Sequence, residues 1–296
     1  MADTRLLIVD GHAYAYRAYY AIRQLRSPTG RPTNGIFGFV KAVERLRTLL
    51  NPSHEVVVWD GGLAVHRLDL LPNYKAQRPA MPEDLRSQVD GMVDWVVASG
   101  GVSQCYDGVE ADDLIATLTS MAVKAGAQIT IASRDKDFMQ LVSEFVRLQV
   151  PGGGDQDTWG EGAVLSKTGV KPTQIVDWLS LVGDSVDNIP GVPGIGPKTA
   201  TKLLVRFGSC ERIIAAVDEI ESETLRTTIN TSVETIRRNA KMIRLRDDLP
   251  CEIALQDLER RAPHINKLRE LYGQWGFSTM GKGLQKSGPG QYDLFG

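Results

Sequence analysis

The feature that most constrains this 296-residue chain is a short apolar run ending in acidic residues, which occurs three times. The runs cover residues 5–11, 55–62 and 128–137, and they end in Asp10, Asp60 and the pair Asp135 and Asp137. Such runs are typical of strands buried on both faces, and helical spacing lies between them. We therefore expect an α/β fold with a mainly parallel central sheet flanked by helices. A single Asp-Gly pair predicts only a turn, but repeated strand-end acids predict a site at one sheet edge.

Three further carboxylates, Glu110, Asp112 and Asp113, open an amphipathic segment with helical spacing. Acids in a first helical turn also complement the helix dipole, so this segment alone does not decide between a structural and a functional role. Together with the strand ends and two later acids, nine carboxylates stand out: Asp10, Asp60, Glu110, Asp112, Asp113, Asp135, Asp137, Asp184 and Asp187. Crowded acids repel each other unless cations are present, and hard oxygen ligands suit Mg²⁺ or Mn²⁺. We predict two divalent ions about 3.5–4 Å apart, an arrangement that hydrolyses phosphodiesters.

Composition sets limits on the class of protein. A hydrophobic content of 42% and a charged content of 24% are ordinary for a globular chain. The net charge of −2 excludes a uniformly basic nucleic-acid binder, although an acidic site would offset basic patches elsewhere. Cys105, Cys210 and Cys251 lack metal-ligand spacing. With no signal-peptide pattern and no apolar run of membrane-spanning length, we expect a cytoplasmic protein that does not contact membranes.

Residues 66–86 differ in character, because they combine basic side chains with prolines and one tyrosine. A solvated loop would explain a charge run of this kind. Its place directly after Asp60 favours an exposed arm that grips phosphates through Arg67, Lys75 and Arg78 and stacks a base on Tyr74. The tyrosine-rich helix predicted at residues 14–22 offers further aromatic surface for stacking.

After residue 171 the pattern becomes helical, and a glycine-rich turn precedes an amphipathic helix at residues 194–204. Glycines at a helix start leave backbone N–H groups free to bind phosphate. Lys198 and Lys202 lie one turn apart and add positive charge. The run resembles the helix–hairpin–helix grip on a DNA backbone, with these candidate contacts: Gly194, Ile195, Gly196, Lys198, Thr199 and Lys202.

Taken together, the motifs resemble the 5′ nuclease (flap endonuclease) family, and most of all the 5′–3′ exonuclease domain of bacterial DNA polymerase I. The resemblance covers roughly residues 5–280. The matching segments are residues 8–11, 59–60, 74–78, 110–113, 134–137, 183–188 and 194–200. Trp59 stands where the family usually has Phe, and Gly61-Gly62 makes the following turn more flexible. The resemblance implies a structure-specific 5′–3′ exonuclease and 5′-flap endonuclease, which acts on DNA and RNA-primer phosphodiesters in replication and repair.

The resemblance also implies roles for individual residues. Asp10, Asp60, Glu110 and Asp112 would serve a first metal with Asp113 close by, and Asp135, Asp137, Asp184 and Asp187 a second. Lys75 and Arg78 would act on the scissile phosphate from a helical arch, and Tyr16 and Arg17 would lie near the scissile nucleotide. In relatives the hairpin binds K⁺ through main-chain carbonyls, which here implicates Leu181, Val182, Pro190, Val192 and Ile195.

The implied organisation has three parts: an α/β core over residues 1–170 with the arch at about 66–86, a helical DNA-binding domain over 171–280, and a flexible tail over 281–296. The tail ends in a stretch that resembles the peptide by which bacterial proteins bind the sliding clamp, with Gln291, Leu294 and Phe295 as the contacting residues. We expect a monomer that binds branched, nicked or 5′-flap DNA. Two alternatives stay open: a branched-DNA binding factor with weak catalysis, and a metal-dependent ribonuclease of the same α/β type.

Overall fold

The computed structural model describes residues 4–150 and 158–286, and a six-stranded sheet forms its centre. The sheet has the order β3-β2-β1-β4-β5-β6, with every neighbouring pair parallel except β5 and β6. Its strands are β1 (Arg5–Asp10), β2 (His54–Trp59), β3 (Val102–Cys105), β4 (Gln128–Ala132), β5 (Val146–Gln149) and β6 (Thr158–Trp159). The predicted mainly parallel α/β sheet is confirmed.

Strand β1 lies at the centre because it is apolar on both faces. Leu7 and Val9 pack in a core on one side of the sheet, whereas Leu6 and Ile8 pack in a second core on the other side. The chain leaves β1 towards β2 and later returns on the opposite side as β4. Such a reversal of strand order opens a crevice at the carboxyl edge of a parallel sheet. Asp10, the last residue of β1, therefore lies at this crevice.

Helices cover both faces of the sheet and make up most of the chain beyond residue 170. In the amino-terminal part they are α1 (Gly11–Ala21), α2 (Asn34–Leu50), α3 (Val65–Leu70), α4 (Glu83–Ala98), α5 (Ala111–Lys124) and α6 (Glu161–Thr168). The later helices are α7 (Ile175–Val182), α8 (Pro197–Phe207), α9 (Cys210–Ala215), α10 (Glu223–Thr231), α11 (Val233–Ile243), α12 (Ile265–Trp275) and α13 (Ser278–Lys286). Among the described helices, none is long and apolar enough to cross a membrane.

A small hairpin follows α7 and carries two of the acids. It consists of β7 (Gly183–Asp184) and β8 (Ile189–Pro190). Gly183 has φ +81°, and a Cβ atom built there would lie 2.3 Å from the Gly191 nitrogen. Only glycine fits so close a backbone approach at this angle. The glycine therefore closes the base of the hairpin and fixes where Asp184 points.

Several sequence-based expectations need correction. The predicted flexible tail begins too early, because residues 281–286 belong to α13 and the Leu284 side chain is buried. Strand β3 was not anticipated, since it has only four residues and two of them, Ser103 and Gln104, are polar. The clamp-peptide residues Gln291, Leu294 and Phe295 lie outside the described residues.

Candidate active site

Asp10 connects the central strand to the first helix. Its Oδ1 accepts a hydrogen bond from the Ala13 N–H (3.0 Å) and thereby caps α1, while its Oδ2 accepts one from the Ser133 hydroxyl (2.8 Å). The pKa of Asp10 is raised to about 6, mainly by burial. The two hydrogen bonds lower the pKa, whereas the charges of Asp135 and Asp60 raise it. The strand-end acids of β1, β2 and β4 therefore form one electrostatic group.

The turn after Asp60 is held firmly, contrary to the expectation of a flexible turn. Gly61 donates a hydrogen bond to the Val109 carbonyl (3.0 Å), and the Gly61 carbonyl accepts one from Gly108 (2.9 Å). A Cβ atom at Gly61 would lie 1.9 Å from the Tyr106 carbonyl oxygen, so only glycine fits. This contact joins the end of β2 to the segment that leads into Glu110.

Glu110 precedes α5 and is surrounded by basic and hydroxyl groups. Its side chain is buried and accepts hydrogen bonds from Lys75 Nζ (2.7 Å), from Arg67 Nη1 and from the Tyr74 hydroxyl (3.3 Å). Asp113 faces Arg67, which donates to both of its carboxylate oxygens (2.7 and 2.8 Å). The prediction that Asp113 serves a metal is not supported by this geometry, because its oxygens are already occupied by a guanidinium.

Three buried carboxylates meet at the other side of the crevice. The ligand oxygens of Asp137, Asp184 and Asp187 lie within 4.8 Å of one another. Within the described residues Asp137 Oδ1 has no hydrogen-bond partner, although it is fully shielded from solvent. Burial and the charges of Asp135 and Asp184 hold the pKa of Asp137 well above its usual range. An orphaned carboxylate oxygen among acids fits a divalent cation.

Asp112 joins the two halves of the site. Burial, followed by the charge of Asp135, raises its pKa well above the usual range; Asp10 and Glu110 act in the same direction, and Lys75 opposes them. Burial also raises the pKa of Asp135, with Asp187 and Asp184 contributing. Acids that are far apart in the sequence, from Asp10 to Asp187, thus lie in one like-charged cluster. They offer carboxylate oxygens, which are the hard ligands that Mg²⁺ and Mn²⁺ prefer.

Lys75 and Arg78 lie inside the acidic cluster. Lys75 Nζ is 3.8 Å from Asp187 Oδ2 and 4.0 Å from Asp112 Oδ2, and Arg78 Nη2 is 2.5 Å from Asp187 Oδ1. The segments that carry Lys75 and Asp187 also contact each other through their backbones. The Lys75 N–H donates to the Asp187 carbonyl (3.0 Å), and Asn188 Nδ2 donates to the Asn73 carbonyl (2.7 Å). Basic side chains therefore partly neutralise the acids.

The expectation of an exposed basic arm is wrong for three of its residues. Arg67, Tyr74 and Lys75 are 2%, 4% and 6% exposed, because the carboxylates of Glu110, Asp113 and Asp187 draw them inwards. Arg67 in particular is enclosed by protein groups and offers no surface for a DNA contact. Arg78 remains partly exposed.

The predicted DNA contacts of the later helices lie around the start of α8. Lys198 and Lys202 are exposed, Thr199 is partly exposed, and Gly194 and Gly196 are exposed. The Ile195 side chain instead packs in the core, so any contact it makes must use its backbone. On α1, Tyr16 and Arg17 are both partly exposed.

Three residues near the site were not singled out from the sequence. Ser133 binds Asp10, and Lys136 Nζ pairs with Asp184 Oδ1 at 2.9 Å. Asn239, fully buried on α11, donates from Nδ2 to the Ser180 carbonyl (3.1 Å) and the Pro190 carbonyl (2.8 Å) at the base of the β7–β8 hairpin. Ser133 and Lys136 adjoin Asp135 in sequence, which was an available signal. Asn239 has no such signal, since its partners lie far away along the chain.

Comparison with known proteins decides the family. A family model described as the N-terminal resolvase-like domain of 5′–3′ exonucleases matches residues 5–169, and one for their C-terminal SAM fold matches residues 170–266. The chain belongs to the 5′–3′ exonuclease family. The predicted membership of this nuclease family is thereby confirmed.

Relatives of this 5′–3′ exonuclease differ in length. The 5′–3′ exonuclease of Aquifex aeolicus is 36% identical over 265 residues, which cover 90% of each chain. DNA polymerase I of Bacillus caldotenax is 34% identical over 277 residues, which cover 93% of this chain and 32% of that protein. The chain therefore spans about a third of the length of its polymerase relatives.

Solved structures share the fold of the family. The T5 5′-exonuclease with bound zinc superposes with a TM-score of 0.70 at 23% identity, over 82% of this chain and 90% of that one. The catalytic core of Rad2 with a DNA substrate gives a TM-score of 0.59 at 16% identity, over 93% and 89%. At these identities the likeness concerns the fold alone.

Proposed function

We propose that this protein is a structure-specific 5′ nuclease that hydrolyses DNA and RNA-primer phosphodiesters at 5′ flaps and 5′ ends during replication and repair. The observation that carries the proposal is the crowding of acids with raised pKa values, Asp112, Asp135 and Asp137, around the buried and unpartnered Asp137 oxygen. Such a cluster is unfavourable in the absence of cations and becomes favourable when cations bind. Relatives named for 5′–3′ exonuclease activity support the reaction class.

The acids divide into two groups that fit two ions, for which we propose Mg²⁺. Asp10, Asp60 and Asp112 would hold one, joined by Glu110, whose Oε1 is available only once Lys75 has left it. Asp135, Asp137, Asp184 and Asp187 would hold the other. When bound, two such ions lower the pKa of a water and stabilise the leaving oxygen of a phosphodiester. The chain's own contribution is to fix these carboxylates at the ends of strands and at glycine-closed turns.

Lys75 and Arg78 supply the positive charge that the substrate needs. In the free protein both pair with Asp187. A scissile phosphate is a competing anion, and metal binding at Asp187 would weaken its hold on both side chains. We expect the two cations to shift from carboxylate to phosphate, where they would offset charge that develops in the transition state.

A metal titration on a 5′-flap substrate tests the proposal. Wild-type protein should release a short 5′ product in Mg²⁺ and none in EDTA. Asp135→Asn and Asp184→Asn should each lower kcat by roughly a hundredfold or more while keeping flap affinity. The matched control is Asp94→Asn, which changes an exposed acid on α4 and should cut normally.

The outcomes separate the competing functions. Metal-dependent cleavage of a single-stranded RNA in preference to a DNA flap would favour the ribonuclease alternative. Flap binding without cleavage at any Mg²⁺ or Mn²⁺ concentration would favour a branched-DNA binding factor. Normal cleavage by Asp135→Asn would refute the assignment of the site.

The helix–hairpin–helix would bind the duplex beyond the cut, through Lys198, Lys202 and the free N–H groups at the start of α8. K⁺ bound by nearby carbonyls would strengthen this grip. The carbonyls of Leu181 and Pro190 each already accept one hydrogen bond, which leaves each a second lone pair. Replacing K⁺ by Li⁺ at constant ionic strength should weaken duplex binding; equal affinity would count against the K⁺ site.

The carboxyl-terminal peptide would deliver the monomeric nuclease to DNA by binding the sliding clamp. The proposal rests on the sequence of residues 291–295. Deleting residues 291–296 should abolish clamp binding measured by calorimetry and leave cleavage of free flaps unchanged. Unaltered clamp affinity after the deletion would refute it.

A further inference from the structure

Three tyrosines on α1 form an aromatic cluster at the surface: Tyr16, Tyr19 and Tyr20. The Tyr16 and Tyr20 rings are near-parallel, with an interplanar angle of 20° and 6.5 Å between centroids. Tyr19 meets the Tyr20 ring edge-on at 5.1 Å and 76°. Tyr20 is nevertheless 68% exposed. Two neighbouring rings therefore fix its orientation while leaving it accessible to solvent.

This cluster continues from the acidic site. Helix α1 starts at its cap Asp10, and Tyr20 lies ten residues further, which is about 15 Å along the helix axis at ~1.5 Å per residue. Tyr16 lies between the two. Successive tyrosines on α1 thus extend away from the acids in a line.

Basic residues flank the same surface. Burial raises the pKa of the Tyr16 hydroxyl and Tyr20 raises it further, whereas the positive charges of Arg86 and Arg78 lower it. Arg78 also contacts Asp187, so it reaches both the acidic cluster and the surroundings of Tyr16. An exposed aromatic face beside guanidinium groups matches the chemistry of an unpaired nucleic-acid strand, which presents base faces and phosphates.

We propose that Tyr20 is a stacking subsite for an unpaired nucleobase of the substrate's 5′ strand, one position further from the acids than the base at Tyr16. The inference rests on the proposed function and adds a residue that makes substrate binding depend on flap length. Tyr16 and Tyr20 lie one turn apart on α1 with near-parallel rings, so a base at Tyr20 would follow a base at Tyr16. Stacking tolerates any base because every base has a π-face. A nick or a one-nucleotide flap is too short to reach Tyr20, whereas flaps of two or more nucleotides do.

The test compares flap lengths in the full-length protein. Wild type, Tyr20→Ala and Tyr20→Phe are measured on a nick and on flaps of one, two and five nucleotides. Tyr20→Ala should raise KM roughly five- to tenfold on the two longer flaps, leave kcat unchanged, and match wild type on the nick and the one-nucleotide flap. Tyr20→Phe keeps the ring and should behave as wild type.

An abasic nucleotide in the flap is the change in the DNA that corresponds to Tyr20→Ala in the protein. Placed at the second flap nucleotide, it should weaken wild-type binding by the same factor and make no difference to Tyr20→Ala, since each change removes one partner of the same stack. If Tyr20→Ala lowered affinity by the same factor for every substrate, including the nick, the stacking subsite would be refuted and Tyr20 would have a structural role. Wild-type affinity of Tyr20→Ala for all flaps would also overturn it.

Binding by fluorescence anisotropy keeps this test separate from the proposed function. If the wild-type protein bound flaps but cut none, the nuclease proposal would fail. The dependence of flap affinity on Tyr20 and on the second base would still decide the stacking subsite.

Discussion

Arg67 and Asp113 form a buried two-point ion pair, with Nη2 to Oδ1 at 2.7 Å and Nη1 to Oδ2 at 2.8 Å. The pair also joins distant parts of the chain. Arg67 Nε donates to the Met242 carbonyl (2.9 Å), and Asp113 Oδ1 accepts from the Arg246 N–H (3.0 Å). The guanidinium that contacts Glu110 is thus fixed by the last turn of α11, and its partner Asp113 is fixed by the segment after that helix.

Removing one member of this pair should destabilise the protein strongly. Arg67→Ala leaves Asp113 as an uncompensated buried charge, and we expect a loss of about 3–5 kcal/mol in the free energy of unfolding. Urea denaturation measures it. The exposed pair Arg237–Glu211 provides the control, because Arg237→Ala should change stability little. Equal effects of the two substitutions would contradict the assignment of Arg67 as a buried structural cation.

Asp137→Asn should stabilise the metal-free protein while harming its activity. The substitution removes one charge from a crowded buried cluster, so repulsion with Asp135 and Asp184 falls. We expect Tm without metal to rise and the increase in Tm on adding Mg²⁺ to shrink. Calorimetric scans in EDTA and in Mg²⁺ check both changes. A lower Tm in EDTA would show that the cluster is not strained by its charge.

Asn239 should act on metal binding although it does not contact the acids. Its amide connects the last turn of α7 to the end of the hairpin that carries Asp184 and Asp187. We expect Asn239→Ala to raise the Mg²⁺ concentration for half-maximal cleavage roughly 10- to 100-fold, with kcat recovering at saturating Mg²⁺. Asn230→Ala, at an exposed position on α10, is the control. A drop in kcat that Mg²⁺ does not restore would indicate a different role.

Glu44 should make stability depend on pH. Burial raises its pKa from 4.5 to about 7, with Arg47 and Lys41 opposing the shift. Between these values the unfolded carboxyl is ionised while the folded one keeps its proton. Stability therefore falls as pH rises from 4.5 through about 7 and this contribution levels off above, at a cost of at most ~3 kcal/mol.

Glu44→Gln isolates that contribution. Relative to wild type, the variant should gain stability between pH 5 and pH 8, because an amide has no proton to lose. Urea midpoints at pH 5, 6, 7 and 8 provide the measurement. A difference between variant and wild type that stays constant over this range would rule out Glu44 as the titrating group.

The regular elements were predictable because their signals are local. Continuous apolar runs predicted β1, β2 and β4; β1 ends at Asp10 itself, whereas β2 ends one residue before Asp60 and β4 ends three residues before Asp135. Strand β3 was not predicted because it is short, half of its residues are polar, and its pairing with β2 holds it as a strand. Local patterning could not reveal a strand that depends on its neighbour.

The environments of the basic residues could not be read from the sequence. Charge and prolines predicted an exposed arm, yet Arg67 and Lys75 are buried by carboxylates that come from α5 and the β7–β8 hairpin. For the same reason Asp112 and Asp113, adjacent in sequence, face different surroundings. Sequence indicated which side chains carry charge, and only the fold determines which charges meet.

The β7–β8 hairpin has a consequence for synthesis of the protein in the cell. Its acids complete a cluster that begins at Asp10, so the amino-terminal sheet emerges from the ribosome long before Asp184 and Asp187 are made. A nascent or prematurely terminated chain that ends before the hairpin lacks Asp184 and Asp187, two of the three acids that meet in the buried group with Asp137. Because the proposed metal site is incomplete until then, we expect the capacity to cut DNA to arise only after translation has passed the hairpin.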